Sequence, residues 1–170
     1  MLKDEVANAL IVQLNKEFQS SYIYLGMSAY ASKKGLAGCA NWFLVQYQEE
    51  LAHAMKLFKY LESHQVSISL PEIKKSNSEF KTILDTFKKA LAHEISMSAS
   101  LNELSDLTMK AKDHATYNML QWYVTEQVEE EATLNTIIDK IKLIGDNGYG
   151  LYVIDQELAT RVFVDPTTKP

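Results

Sequence analysis

Six residues with side chains that can bind metal recur near the middle of helix-forming stretches. They are Glu17, Glu50, His53, Glu94, Gln127 and Glu130. Glu50 and His53 are spaced i, i+3, which places both on one face of a helix, and Gln127 and Glu130 share that spacing. Mostly oxygen ligands with a single imidazole suit iron or manganese, whereas structural zinc favours cysteine and histidine. The composition of the set therefore indicates a carboxylate-rich site for redox-active divalent ions.

Each of these residues also lies on the apolar stripe of its own helix. Taken singly, a Glu-x-x-His pair more often belongs to a solvated face or to a satisfied core pair. Several carboxylates that converge in a core would each cost several kcal/mol if they stayed unpaired. No Lys or Arg lies on the same stripes to pair with them. The four glutamates would instead balance two divalent cations, which favours a two-metal site.

Long helices are the elements that must position these side chains. Good helix formers fill the stretches between very few glycines and prolines. Helices are predicted over residues 4–33, from 36 or 38 to 64, over about 79–112 and over about 113–144. The first and third links are short, which makes antiparallel pairs, whereas the link around Pro71 can travel the length of the bundle. These features predict one all-α domain over residues 1–170: a four-helix bundle with one long crossover, a short fifth helix at 151–162 and a tail at 163–170.

Composition and charge exclude several other classes of protein. The chain has 170 residues, a net charge of −5, 46% hydrophobic residues and one cysteine, so a disulfide framework and wholesale disorder are both excluded. An isoelectric point near 5.4 argues against a nucleic-acid partner. Charges at positions 3 to 5 argue against a signal peptide, and no run of about 18 apolar residues predicts a membrane span. We therefore expect a cytoplasmic protein with no membrane and no nucleic-acid partner.

Several motifs resemble the bacterial non-haem ferritins over essentially the whole chain. The strongest is LQWYVTEQVEEE at 120–131; others lie at 137–140 and 150–152, and around Glu17, Ser20, Tyr24, Met27, Glu50, His53 and His93. This resemblance implies the ferritin-like bundle and a homo-oligomeric shell of 24 subunits. The shell would oxidise iron(II) with dioxygen and store the product as an iron(III) oxyhydroxide mineral.

The resemblance also implies a role for each site residue. The ferroxidase centre would consist of Glu17, Glu50, His53, Glu94 and Gln127, with Glu50 bridging and Tyr24 hydrogen-bonded to a ligand. A third iron site would use Glu49, Glu126, Glu129 and Glu130. Haem is not expected, because Ala52 stands where bacterioferritins carry a haem-binding methionine and a second Glu-x-x-His motif is lacking.

Three alternatives remain open from the sequence. The chain could be another di-iron oxidoreductase, of the rubrerythrin or oxygenase kind, but the second Glu-x-x-His and a Cys-x-x-Cys iron domain are both absent. It could be a non-catalytic shell subunit, which the intact ligand set opposes. The glutamates near the end of the 120–131 run could be a solvated acidic face rather than a third site. Residues 115–121 contain no carboxylate, so the sequence does not predict the iron entry route.

Overall fold

The computed structural model describes residues 2–168, and within that range all regular structure is helical. The helices are α1 Asp4–Lys33, α2 Ala37–Ser63, α3 Ile83–Lys110, α4 His114–Ile144 and α5 Gly148–Leu158, followed by a 3-10 turn at Pro166–Thr168. α1 packs along α2, α3 packs along α4, and α1 also contacts α3. The predicted all-α class, a four-helix bundle with one long crossover and a short fifth helix, is confirmed. Among residues 2–168 no helix is long and apolar enough to cross a membrane.

The third helix begins later than residue 79. Thr82 caps it, because its hydroxyl accepts the amide N–H of Asp85 at 3.0 Å. Before the cap, Asn77 accepts the amide N–H of Glu79 at 3.1 Å, which holds that residue in a local turn. Residues 64–82 therefore form the whole crossover between the two halves of the bundle.

The fifth helix is shifted toward the N-terminus relative to the predicted range 151–162. Asn147 caps its start by accepting the amide N–H of Gly150 at 2.9 Å. α5 then packs against the beginning of α2, where the buried carboxylate of Asp155 accepts the amide N–H of Cys39 at 2.8 Å. The approach is close: a Cβ atom at Gly38 would lie 1.6 Å from the carbonyl oxygen of Asp155.

After Leu158 the chain leaves the helix and runs along α2. The amide of Asn41 on α2 donates to the carbonyl oxygen of Arg161 at 2.9 Å. The 3-10 turn also packs on α2, with Pro166 buried. The predicted tail is therefore docked on the bundle as far as residue 168, and its last two residues lie outside the described range.

Two buried apolar clusters fill the bundle. One contains Tyr24, Phe43 and Phe87, and the other contains Leu14 and Leu57 among its members. In every long helix the candidate ligand stands in sequence between residues of the two clusters. The polar residues therefore form a layer between two dry regions, where water cannot screen their charges.

Candidate metal centre

The carboxylates predicted from the four stripes do converge. Two groups of three residues have ligand atoms within 4.8 Å of one another: Glu17 with Glu50 and His53, and Glu50 with Glu94 and Glu130. Glu50 belongs to both groups. The arrangement therefore offers two adjacent cation positions that share one carboxylate.

Neutral donors hold these carboxylates in place. Gln13, one turn before Glu17, donates to its Oε1 at 2.8 Å. The amide of Gln46, one turn before Glu50, lies 3.5 Å from its Oε1 and also donates to Glu130. Amide donors orient a carboxylate without carrying a positive charge, so they do not compete with a cation for it. Neither glutamine was predicted from the sequence, although the i−4 spacing of an amide before a candidate ligand could have identified both.

Two further side chains orient Glu94. The hydroxyl of Tyr24 donates to its Oε1. The amide of Gln127 donates to its Oε2 at 3.0 Å and to its backbone carbonyl at 3.2 Å. The side-chain nitrogen of Gln127 thus donates to Glu94, and its side-chain carbonyl oxygen is the atom that could bind a cation. Tyr24 contacts Glu94 in the way that the sequence resemblance implied.

Burial raises the pKa values of three glutamates in the centre. Burial, followed by the charge of Glu94, raises the pKa of Glu17 from 4.5 to about 7. Burial, again followed by the charge of Glu94, raises the pKa values of Glu50 and Glu130 well above their usual range. Without a cation, the centre therefore keeps protons that water-exposed glutamates would lose near pH 4.5.

Histidine 53 is kept neutral. Burial, followed by the charge of Lys56, lowers the pKa of His53 to about 4. Its Nδ1 lies 3.9 Å from Oε2 of Glu50, and its Nε2 is buried with no hydrogen-bond partner among the described residues. The rings of Trp122 and His53 meet edge to face at 5.4 Å, and the Tyr123 hydroxyl donates to the His53 carbonyl at 2.8 Å. A neutral, rigidly packed imidazole is in the state that binds a metal.

The residues fit iron as a substrate ion. Oxygen donors dominate, one neutral imidazole is present, and burial raises the pKa values of the carboxylates, which disfavours their charged form until a cation binds. A divalent cation removes the cost that burial imposes on these carboxylates.

The four carboxylates predicted for a third site also lie together. Glu49, Glu126, Glu129 and Glu130 line a cavity of about 110 Å³ beside the core, together with Gln46, Thr133, Arg161 and Pro166. Arg161 contacts Glu49, with 2.5 Å between Nη2 and Oε2. Arg161 was not predicted from the sequence, and no local spacing indicates it, because it lies 112 residues from Glu49 along the chain.

Known proteins resemble both the sequence and this fold. Residues 7–144 match the family described as Ferritin-like domain. The chain is 42% identical to a bacterial non-heme ferritin of Campylobacter jejuni, over 92% of this chain and 93% of that protein. It is 39% identical to one of Staphylococcus epidermidis, over 96% of this chain and 98% of that protein.

Solved structures agree with these relatives. A humanized archaeal ferritin superposes with a TM-score of 0.95 at 43% identity, over 96% of this chain and 99% of that chain. An open-pore ferritin from the hyperthermophilic archaeon Archaeoglobus fulgidus superposes with a TM-score of 0.94 at 40% identity, over 95% of this chain and 99% of that chain. With the matched family, the near full-length relatives and the shared bundle in agreement, the chain belongs to the ferritin family, among the bacterial non-haem ferritins.

Proposed function

We propose that this protein is a ferroxidase and iron-storage subunit. The observation that carries the proposal is Glu50, a buried carboxylate shared between two groups of ligand atoms in the bundle core. Two iron(II) ions would bind there, one near Glu17 and His53 and the other near Glu94 and Glu130. Gln127 would complete the second position through its carbonyl oxygen.

Each side chain has a separate task in this reaction. The raised pKa values of Glu17 and Glu50 mean that iron(II) displaces protons as it binds, so the carboxylates become fully charged only beside the cations. His53 binds without losing a proton. Tyr24 keeps the Glu94 carboxylate oriented through its hydroxyl. Each iron(II) then gives one electron to dioxygen, while the protein supplies the geometry and a site of matching charge.

We propose that the product iron(III) is hydrolysed and stored as an oxyhydroxide inside a shell of 24 copies of this chain. Exposed aromatic side chains on α5 support an assembly: Tyr149 is 77% exposed, Tyr152 is 58% exposed, and the centres of their rings lie 6.5 Å apart. Such side chains are costly to expose in a monomer when they lie together. The structural neighbours include an open-pore ferritin of Archaeoglobus fulgidus and an engineered closed form of it, which also supports a pore-bearing assembly. We expect the shell to work in the cytoplasm without haem.

The cavity beside the core is proposed to take a third iron. Glu130 belongs both to this cavity and to the core group, so it links the two. Removing Glu49, Glu126 and Glu129 together should leave the core pair of ions bound and change the number of irons oxidised per dioxygen. A variant that matches the wild type in both quantities would show that these glutamates are only an acidic face.

The core proposal is tested by the double variant Glu50→Ala with His53→Ala. We expect the shell to assemble and the rapid oxidation of the first two iron(II) ions per subunit to disappear. The matched control is Glu103→Ala with His114→Ala, which removes the same residue types from exposed positions. Stopped-flow absorbance measures oxidation, and sedimentation velocity measures assembly. Oxidation at the wild-type rate in an assembled core variant would refute the proposal.

A further inference from the structure

Arg161 places a fixed positive charge at the edge of the acidic cavity. Its guanidinium donates to Oε2 of Glu49 at 2.5 Å and to Oε1 of Gln46 at 2.9 Å. The same Gln46 donates through its nitrogen to Glu130. Arg161 therefore contacts Glu49 directly. Through the amide of Gln46 it is also connected to Glu130, the carboxylate that the cavity shares with the core.

The position of Arg161 is built into the fold. The guanidinium also donates to the carbonyl of Trp42 at 3.3 Å and lies 4.5 Å from the centre of its ring. Asn41 holds the Arg161 backbone carbonyl, and Pro166 closes over the same cavity as a buried residue. We call residues 159–168 the C-terminal segment. Its contacts on both sides of Arg161 prevent the guanidinium from behaving as a mobile surface charge.

A guanidinium and a divalent ion that share one carboxylate repel each other, because both are positively charged. The pair between Arg161 and Glu49 is half-buried, with side-chain exposures of 25% and 16%, so solvent screens it only in part. An ion that enters the cavity therefore meets repulsion from Arg161 unless it displaces the guanidinium from Oε2 of Glu49.

We propose that Arg161 is an internal counter-cation that competes with the third iron for Glu49 and thereby keeps binding in the cavity weak. This inference rests on the proposed third site. By holding Gln46, the guanidinium also positions the amide that Glu130 accepts from. When a third ion binds, Arg161 leaves Glu49 and the C-terminal segment loosens from α2. Arg161 is thus a positioning residue that sets how long an ion stays between the core and the outside of the bundle.

The inference predicts a charge-dependent affinity. A partly screened ion pair of this kind changes an equilibrium by up to about fivefold. We therefore expect Arg161→Gln to bind the third ion up to about fivefold more tightly than the wild type. Arg161→Lys keeps the charge and should stay within about twofold of the wild type. Lys88→Gln removes one charge from an exposed position on α3 and serves as the matched control.

The experiment titrates the assembled, metal-free, full-length protein with zinc(II), a redox-inert probe, by isothermal titration calorimetry. Hydrogen exchange of the C-terminal segment, measured by mass spectrometry at two and at three equivalents of zinc, reports displacement of Arg161. We expect exchange in the wild-type segment to rise only at the third equivalent. A purely structural role for Arg161 would lower the melting temperature of both Arg161 variants without a charge-dependent change in third-ion affinity.

The outcomes separate the inference from the proposed function. If the first two ions bind and Arg161→Gln does not tighten the third, or if no third ion binds in either protein, the inference is wrong and the core proposal stands. If the wild type binds fewer than two ions per subunit, the proposed function itself fails. Tightening in Arg161→Gln but not in Arg161→Lys or Lys88→Gln supports the competition.

Discussion

Glu17 should give up a proton when a metal ion binds in the core. Burial and the charge of Glu94 raise its pKa from 4.5 to about 7. A group with that pKa is about 90% protonated at pH 6 and about 10% protonated at pH 8. Glu17→Gln keeps the shape of the side chain and removes this proton. We therefore expect the variant to release about one proton fewer per subunit than the wild type at pH 6, with the difference nearly gone at pH 8.

The same proton weakens metal binding at low pH. At pH 6 the metal must displace it, which costs about 1.4 kcal/mol, or about tenfold in affinity relative to a pH well above 7. Glu50 and Glu130 also hold protons, because burial and Glu94 raise their pKa values too. They should release protons in both proteins, and because Glu17 also acts on the pKa of Glu50, the difference between the two proteins reports Glu17 together with its effect on Glu50. His53 contributes none, since burial lowers its pKa to about 4.

The stability of the metal-free protein should follow the same titration. The folded pKa of Glu17 lies above the unfolded value, so its stabilising contribution is complete below about pH 4.5 and is lost as the pH rises through 7. A shift from 4.5 to about 7 corresponds to about 3 kcal/mol per subunit at most. A bound divalent ion should abolish this loss, because it replaces the protons as the compensating charge.

Proton release is measured by titrating zinc(II) into the metal-free protein in two buffers of different ionisation enthalpy, at pH 6, 7 and 8. Glu103→Gln, an exposed carboxylate change on α3, is the control and should match the wild type. Size-exclusion chromatography checks that every variant is assembled equally. Equal proton release at pH 6 from the wild type and from Glu17→Gln would refute the assignment of a buried, protonated Glu17.

Two further predictions concern the docking of α5 and the orientation of a ligand. Gly38→Ala should lower the melting temperature and weaken assembly, because the added Cβ would lie 1.6 Å from the Asp155 carbonyl oxygen and must push α5 away. Calorimetry measures the melting temperature and sedimentation measures assembly, and no change in either would contradict the close packing. Tyr24→Phe should slow iron(II) oxidation while two zinc ions still bind per subunit, because the variant loses only the hydroxyl that donates to Glu94. Stopped-flow absorbance measures the rate and calorimetry measures zinc binding, and an unchanged rate would show that this hydrogen bond does not orient Glu94.

The burial of the core carboxylates and their convergence could be predicted because they depend on helical periodicity. Glu17, Glu50 and Glu94 each lie on the apolar stripe of a long helix, so their burial follows from the stripe. Antiparallel pairing then brings positions near helix centres to a similar height. Composition alone predicted a start near residue 79 for α3. The true start could also have been predicted, because Thr82 and Asp85 have the spacing of a capped helix start.

The surroundings of the cavity could not be predicted in this way. The path of the chain after Leu158 depends on contacts with α2, such as those of Asn41 with the backbone of Arg161. These contacts join residues more than 100 positions apart, as in the separation of 112 between Arg161 and Glu49. No periodicity within one helix carries that information, because it arises only when α5 is docked against Gly38.

The core and the cavity differ in the groups that balance the charge of their carboxylates, and this difference affects how firmly each would hold an ion. In the core, the hydrogen-bond donors to the carboxylates include the amide of Gln13 and the phenol of Tyr24, which carry no charge, so these carboxylates depend mainly on protons or a bound cation for charge compensation. In the cavity, the guanidinium of Arg161 already balances one carboxylate. Under the proposed function, an ion is therefore held more firmly in the core than in the cavity. Glu130 belongs to both, so iron that leaves the core through the cavity would pass a region that binds it more weakly than the core does.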